Sequence, residues 1–384
     1  MEPDLKNRKV ILGLSGGVDS AVAALLLKQA GADVHALHMT NWESEDGYCT
    51  AADELRDARG VSEQLDIPLH RVNFAKQYRD RVFEYFLEEY RSGRTPNPDV
   101  LCNREIKFGV FREYAKRQGG EWLATGHYAR TTVVDGDPML LKAADKGKDQ
   151  SYFLHAVHAE ALAETVFPLG NMQKADVRQM ARDHGLAVHD KKDSTGICFI
   201  GERPFKEFLS TFLPANPGPI RSPDGREIGR HQGLMYYTLG QRQGLGIGGR
   251  HDSGDEPWYV VDKQIEDNVL IVDQGQSELL LSKSLVTADA SWIGKAPAGL
   301  ASGYRCAAKI RYRQDDQACT VESGPGNSLV VHFDEPQRAA ATGQYVVFYE
   351  GDQCLGGAAI DEIHKLGDTP SAIIRPPDDL AGHG

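Results

Sequence analysis

The sequence predicts an α/β protein: a parallel sheet wrapped by helices, then a small α+β module, then a terminal β-barrel. Three observations carry this reading. Lys9-Val10-Ile11-Leu12 is short and apolar, and leads through Gly13-Leu14-Ser15-Gly16-Gly17-Val18-Asp19-Ser20 into Ala21–Gln29, where Val22, Leu25 and Leu26 recur at helical spacing. Strand-like and helix-like segments then alternate to about residue 200, the signature of βαβ units. From about residue 284 the pattern is all strand.

The elements follow in order. Val34–Met39 reads as a second buried strand, Asp53–Leu65 as a helix and Leu69–Val72 as a third strand. Gln77–Arg91 repeats Tyr78, Val82, Phe86 and Leu87 at helical spacing, and Trp122–Thr125 enters a glycine turn at Gly126. Ligands of such sheets bind beyond the carboxyl ends of the strands, so Gly13–Ser20, the Met39 region and Gly126-His127 are expected on one rim. Pro214, Pro217, Pro219 and Pro223 with Gly218 read as a linker or tight loop. A glycine-rich run, Gly240–Arg250, precedes strands at Trp258–Val261 and Val269–Val272. Cys306, Ala308, Ile310 and Tyr312 alternate with Ala307, Lys309, Arg311 and Arg313, which predicts a strand with one apolar and one basic face. Ser328–Phe333 and Tyr345–Tyr349 add strands, with a hairpin turn at Gly351-Asp352. The expected division is 1–212, 213–283 and 284–366, with a loose, proline-bearing tail over 367–384.

Composition bounds the function. A chain of 384 residues, 41% hydrophobic, is long enough for two or three domains with real cores. No apolar run approaches the ~20 residues of a membrane span. Met1-Glu2-Pro3-Asp4 lacks the layout of a signal or transit peptide, so a cytoplasmic protein without a membrane partner is expected. The six cysteines stand singly, without the close pairs of a zinc site. In a reducing compartment they are expected as thiols, and any disulfide as transient chemistry. A formal charge of −12 means that any nucleic acid must be met by a local basic surface.

The glycine turn carries the first chemistry. A strand, a tight glycine loop and a helix start aim backbone N–H groups at a phosphate. Ser15 and Ser20 offer hydroxyls, and Asp19 is placed to hold the Mg²⁺ of a nucleotide. No Gly-Lys-[Ser/Thr] follows, so this is not a Walker A loop. Ser-Gly-Gly-x-Asp-Ser resembles instead the PP-loop of ATP pyrophosphatases, which split ATP between the α and β phosphates and adenylate a substrate. Thr95-Pro96-Asn97-Pro98-Asp99-Val100-Leu101-Cys102-Asn103 reads as a rigid loop, because of its two prolines. A lone cysteine is most often a small core residue; one in a stiff polar loop beside a carboxylate is less obviously so. Asp193–Arg203 carries Cys198 after a Ser-Thr-Gly turn, and strand core is an even alternative there. Two such cysteines suit sulfur transfer through thiolate and persulfide chemistry. His127 is ambiguous by itself, and a solvated or capping histidine is its default reading. Lys148–Leu154 is either a surface helix start or a contact for a flipped base or backbone phosphate.

Taken together, Gly13–Ser20, Thr95–Asn103, Gly126–Arg130, Lys148–Leu154, Ser194–Arg203, His231-Gln232-Gly233 with Thr238–Gly249, and Lys309–Gln314 resemble the tRNA-specific 2-thiouridylase family, in order over residues 9 to about 360. The resemblance implies an adenine nucleotide alpha hydrolase-like first domain in which Gly13, Leu14, Ser15, Gly16, Gly17, Val18, Asp19 and Ser20 bind ATP with Mg²⁺. Met39 and Gly126 would border adenine and ribose, and Asn97, Pro98 and Asp99 would meet the wobble uridine, U34, of the anticodon stem-loop. Cys198 would carry a persulfide delivered by a sulfur-relay protein. Cys102 would release that sulfur, leaving a transient Cys102–Cys198 disulfide. Lys148, Asp149, Gln150, Arg311, Tyr312 and Gln344 would touch tRNA, and His127 would help place the base. Two further readings stay open at this point: another PP-loop ligase that uses an amine as nucleophile, and a non-catalytic RNA-binding protein.

Overall fold

A computed structural model describes residues 3–42, 51–193, 205–247 and 256–366. Cys49, the Ser194–Arg203 motif with Cys198, Gly248, Gly249 and Arg250, and the tail 367–384 lie outside the described residues.

The first sheet is parallel throughout. β1 (Lys9–Gly13) feeds α1 (Val18–Gln29), and β2 (Asp33–Thr40) feeds α2 (Ala51–Gln64). β3 (Leu69–Asn73) leads to a helix of three joined pieces, Ala75–Tyr78, a wider π stretch Arg79–Phe83, and Glu84–Arg91. A second long helix comes next, made of Pro98–Leu101, a π stretch Cys102–Val110 and Phe111–Arg117, and then β4 (Trp122–Ala124). The hairpin β5 (Arg130–Val134) and β6 (Asp137–Leu141) precedes β7 (Thr165–Val166), and Lys174–Asp183 forms a further helix. The sheet order is β3-β2-β1-β4-β7. The chain winds outward through β1, β2 and β3 and then returns to the other side of β1. The topological switch point therefore lies between β1 and β4, where a doubly wound sheet opens its ligand crevice. β1 is buried on both faces: Ile11 joins a core with Phe86, Ile106 and Phe111, while Val10 and Leu12 join one with α1 and Val177.

The middle sheet has the order β10-β11-β8-β9, from β8 (Gly218–Arg221), β9 (Glu227–His231), β10 (Trp258–Gln264) and β11 (Val269–Gln274). The proline cluster that reads as a linker thus contains an interior strand. Pro219 is accommodated because β11 pairs with β8 only at Ile220 and Arg221, which leaves Pro219 outside that ladder.

The last sheet closes on itself. β12 (Leu281–Thr287) pairs with both β16 (Leu329–Arg338) and β18 (Gln353–Lys365), and β15 (Gln317–Ser323), β14 (Tyr304–Lys309) and β17 (Tyr345–Glu350) complete the ring. β13 (Ser291–Trp292) pairs with β18. Closure removes the open edges that a sheet this size would otherwise expose. Ala308 and Ile310 are buried, as the alternation predicts. The strand stops at Lys309, however, so Arg311, Tyr312 and Arg313 sit in the following turn and not on a strand face. The β5–β6 hairpin leaves the first sheet and adds to the barrel through β6–β18. One core joins Cys102, Leu101 and Ile106 to Tyr152 and to the barrel residues Tyr345, Val347 and Tyr349. Among the described residues no helix is long and apolar enough to cross a membrane.

Candidate active site

The glycine loop is held in shape by its own serines. The Ser15 N–H donates to Ser20 Oγ (3.2 Å), and Ser20 Oγ donates to the Gly17 carbonyl (3.1 Å). Gly17 caps α1 in an extended conformation, and no side chain caps the helix. The opening N–H groups of α1 therefore face outward without the usual side-chain acceptor, the arrangement that receives an anion. Two glycines are sterically required. Gly16 has φ +81°, and a Cβ there would lie 2.4 Å from the Glu54 carbonyl oxygen. A Cβ on Gly126 would lie 2.8 Å from Ser20 N, so the β4 turn closes directly onto the start of α1 across the switch point. His38 sets the floor: its Nδ1–H donates to the Leu14 carbonyl (2.9 Å), and burial, chiefly, keeps the ring neutral. Met39 lies half-buried beside it at the end of β2.

Asp19, in the first turn of α1, is engaged on both oxygens. Lys174 donates to Oδ1 and Oδ2 (2.7 and 2.8 Å), and the Tyr128 hydroxyl donates to Oδ1 (2.8 Å). Lys174 also meets Asp193 (2.8 Å), which Lys148 and Arg178 approach at 2.7 Å each. Burial raises the Asp193 pKa, but hydrogen bonds from Lys148 and Lys174 outweigh it and hold the carboxyl well below its ordinary range. Lys191 braces the loop from below, donating to the Gly16 carbonyl (3.0 Å) and to Asp57 (2.6 Å).

The two prolines predict a rigid loop over Thr95–Asn103, and here the structure corrects the sequence. Only Thr95, Pro96 and Asn97 precede the helix; Pro98 opens it, because its missing N–H is one a helix start does not use. Asn97 caps it, its Oδ1 accepting from the Asp99 N–H (3.2 Å). Cys102 and Asn103 are thus helical and fully buried, while Asp99 is half-buried. This helix crosses the rim of the glycine loop. Lys107 lies 3.5 Å from His127 Nε2, and Phe111 Cζ lies 3.6 Å from where a Gly13 Cβ would be. His127 also meets Thr125 Oγ1 (2.7 Å). Burial, then the Lys107 charge, push its pKa well down, so it is a neutral imidazole beside the aromatic rings of Phe108 and Phe167.

The remaining candidates divide between the Tyr128 side of the glycine loop and the start of the same helix. Asp149 is buried, accepting from the Ala143 and Ser151 N–H groups and the Ser151 hydroxyl. Gln150 Oε1 accepts from the Tyr128 N–H (2.9 Å). The Asn103 amide donates to the Phe153 carbonyl (3.1 Å), and the Phe153 ring packs on Tyr312 at 4.5 Å. Arg311, beside it, donates to the Ala339 carbonyl (2.6 Å). Gln344 Nε2 donates to the Thr95 and Pro96 carbonyls (2.8 and 3.3 Å), which fastens the barrel to the turn ahead of Asn97. Several buried side-chain atoms have no hydrogen-bond partner among the described residues: both amide atoms of Asn41, next after β2 on this rim, Asn103 Oδ1 beside Cys102, and His155 Nε2. Orphans of this kind call for a polar ligand or water.

Comparison with known proteins decides the family. A family model described as the tRNA methyl transferase HUP domain matches residues 8–202, its PRC-barrel domain 206–274, and an aminomethyltransferase beta-barrel domain 282–360. A Pseudomonas fluorescens (strain SBW25) protein named tRNA-specific 2-thiouridylase MnmA is 55% identical over 361 residues, 93% of this chain and 96% of its own. A protein of the same name from Alkaliphilus oremlandii is 56% identical over 363 residues, 94% of this chain and 99% of its own. The chain belongs to the tRNA-specific 2-thiouridylase family. Among solved structures, the U34-tRNA thiolase NcsA from Methanococcus maripaludis is 20% identical with a TM-score of 0.36, covering 55% of this chain and 66% of that one.

The 2-thiouridylase motifs in the sequence do not mark His38, Lys107, Lys174 or Lys191. A lysine at a helix start or a histidine in a strand has no spacing signal. Their proximity to the loop comes from pairings distant in sequence, such as Lys191 with Gly16.

Proposed function

We propose that this protein is an ATP-dependent tRNA sulfurtransferase that replaces the 2-oxygen of the wobble uridine by sulfur. The observation that carries the reading is the helix of Asp99 and Cys102 running beside the glycine loop, with Lys107 near His127 in the β4 turn and the Phe111 ring against Gly13 at the end of β1. The uracil 2-carbonyl is a poor electrophile with a poor leaving group. Attack of its oxygen on the α-phosphorus of ATP expels pyrophosphate and turns that oxygen into the ester oxygen of AMP. A persulfide on Cys198 then attacks C2, and AMP departs with the oxygen. The Cys102 thiolate next attacks the Cys198 sulfur, which releases 2-thiouridine and leaves a Cys102–Cys198 disulfide; an external dithiol reduces it before the next cycle. That disulfide requires Cα atoms within about 7 Å.

This chain's residues supply cradle and orientation. The uncapped N–H groups of α1 receive phosphate, and Gly126 keeps the opposite wall close. Neutral His127, held by Thr125 at Nδ1 and Lys107 at Nε2, helps shape the place of the base without adding an imidazolium charge to a buried site. Asp99 orients the uracil or takes its proton. Asp19, with the Ser15 and Ser20 hydroxyls beside it, offers the hard oxygen donors that Mg²⁺ takes alongside phosphates. When bound there, Mg²⁺ would neutralise charge on the triphosphate. A uridine leaving the anticodon stack is expected to meet Asn97, Pro98 and Asp99, with the Lys148–Gln150, Arg311-Tyr312 and Gln344 segments against the RNA. A ligase that uses an amine has no use for two cysteines, and methyl transfer has none for this loop.

The test is nucleoside mass spectrometry of tRNA after incubation with ATP, Mg²⁺ and a persulfide source. Wild type is expected to yield 2-thiouridine with AMP and pyrophosphate. Cys198→Ser and Cys102→Ser are expected to abolish it while ATP binding persists. Thiolation retained by Cys198→Ser would overturn the persulfide assignment.

A further inference from the structure

We propose that Lys174 is a phosphate-contacting residue of the nucleotide site, one that exchanges its present carboxylate partners for the triphosphate of ATP. The inference deepens the reading of Gly13–Ser20 as the ATP cradle and rests on it. Lys174 opens the Lys174–Asp183 helix, which packs along α1. The residue is 9% exposed, and its ammonium is divided between Asp19, at 2.7 and 2.8 Å, and Asp193, at 2.8 Å. It therefore sits one hydrogen bond from the first turn of α1, where no side chain caps the N–H groups.

The charges around it are closely shared. Among the described residues of this cluster, Lys148, Lys174 and Arg178 face Asp19 and Asp193, and Asp145 accepts from the Lys174 N–H (2.9 Å). Asp193 already holds Lys148 and Arg178 without Lys174, and Asp19 already accepts from the Tyr128 hydroxyl. An uncapped helix start with a lysine ammonium one hydrogen bond away favours an incoming anion. Lys174 is the member able to turn to it. A lysine ammonium is a compact charge on a flexible stem with three donors, so exchanging a carboxylate oxygen for a phosphate oxygen keeps its donors satisfied. Lys191, the other lysine on the loop, is committed to the Gly16 carbonyl and Asp57 and serves as a brace.

The test is calorimetric titration of the full chain with ATP and with adenosine, both in the presence of Mg²⁺. Lys174→Met is expected to weaken ATP tenfold to a hundredfold, the scale of one charge-assisted contact, and to leave adenosine within about twofold. Lys174→Arg is expected to restore most of the ATP affinity. Unchanged ATP binding in Lys174→Met, or equal loss of ATP and adenosine, overturns the proposal. Because Lys174→Met removes one partner from each of two carboxylates and could fail to fold, Asp193→Asn provides a second reading. It leaves the lysine in place and removes one competitor, so ATP is expected to bind about threefold tighter; unchanged or weaker ATP binding there also overturns the proposal. A wild-type protein that binds no ATP would instead refute the nucleotide reading of the loop itself.

Discussion

Replacing Gly16 by alanine tests the nucleotide cradle at its tightest point. An alanine at φ +81° costs about 1–2 kcal/mol by itself. Its Cβ would then lie 2.4 Å from the Glu54 carbonyl oxygen and 3.2 Å from Ala58 N, with the first contact about 1 Å short of van der Waals distance. Both atoms are backbone of α2 and cannot rotate away, so the loop must withdraw. Overpacking of this kind adds about 1–3 kcal/mol, for a total loss of roughly 2–5 kcal/mol. A withdrawal of about 1 Å also carries the N–H groups of the loop out of hydrogen-bond range of a phosphate, which predicts at least a tenfold loss of ATP affinity. Gly136, in the β5–β6 turn, is the control: φ is +86°, but nothing lies within 4 Å of its Cβ position. Gly136→Ala should therefore lose only the conformational part and bind ATP as wild type does. Urea unfolding and calorimetric ATP titration read both quantities. Equal stability losses in the two variants, or ATP affinity within twofold of wild type in Gly16→Ala, would refute the steric reasoning.

Two further outcomes rest on contacts elsewhere. Gln344→Ala removes both hydrogen bonds to the Thr95 and Pro96 carbonyls, a loss of about 1–2 kcal/mol of local stability, and is expected to quicken amide exchange over residues 95–99. Thiolation should fall severalfold with ATP affinity intact; unchanged exchange there would show that the barrel does not hold this turn. The third outcome concerns acid. Burial, chiefly, lowers the His155 pKa to about 4, so the unfolded chain takes up a proton at about 6.5 that the folded one refuses. Stability is therefore complete above pH 6.5 and falls as the pH drops, by about 1.4 kcal/mol per unit from this group, down to about pH 4. His38, His127 and His231 are shifted the same way and add to the slope. Urea midpoints from pH 7.5 to 5 should fall, and less steeply in His155→Phe; an identical slope would remove His155 from the account.

The sequence alone determined the parts whose causes are local. Glycines between a strand and a helix, alternating apolar strands and helical repeats are each written within a few residues, so β1, α1, the parallel sheet and the barrel strands were legible. So was the strand–glycine loop–helix layout of Gly13–Ser20. Boundaries set by competition between local and distant forces were not. Pro98 stiffens a loop or opens a helix depending on whether the residues after it find a core, and here Val100, Leu101 and Ile106 bury against the barrel core and draw Cys102 into a helix. Arg311 left its predicted strand because the ladder of β14 with β17 ends at Lys309. Only the tertiary structure decided which charges meet. Asp19 with Lys174, Gly16 with Lys191 and Thr95 with Gln344 are each separated by 155 residues or more. No spacing rule reaches that far, because such pairs form only when the packing of whole elements brings their ends to the same rim.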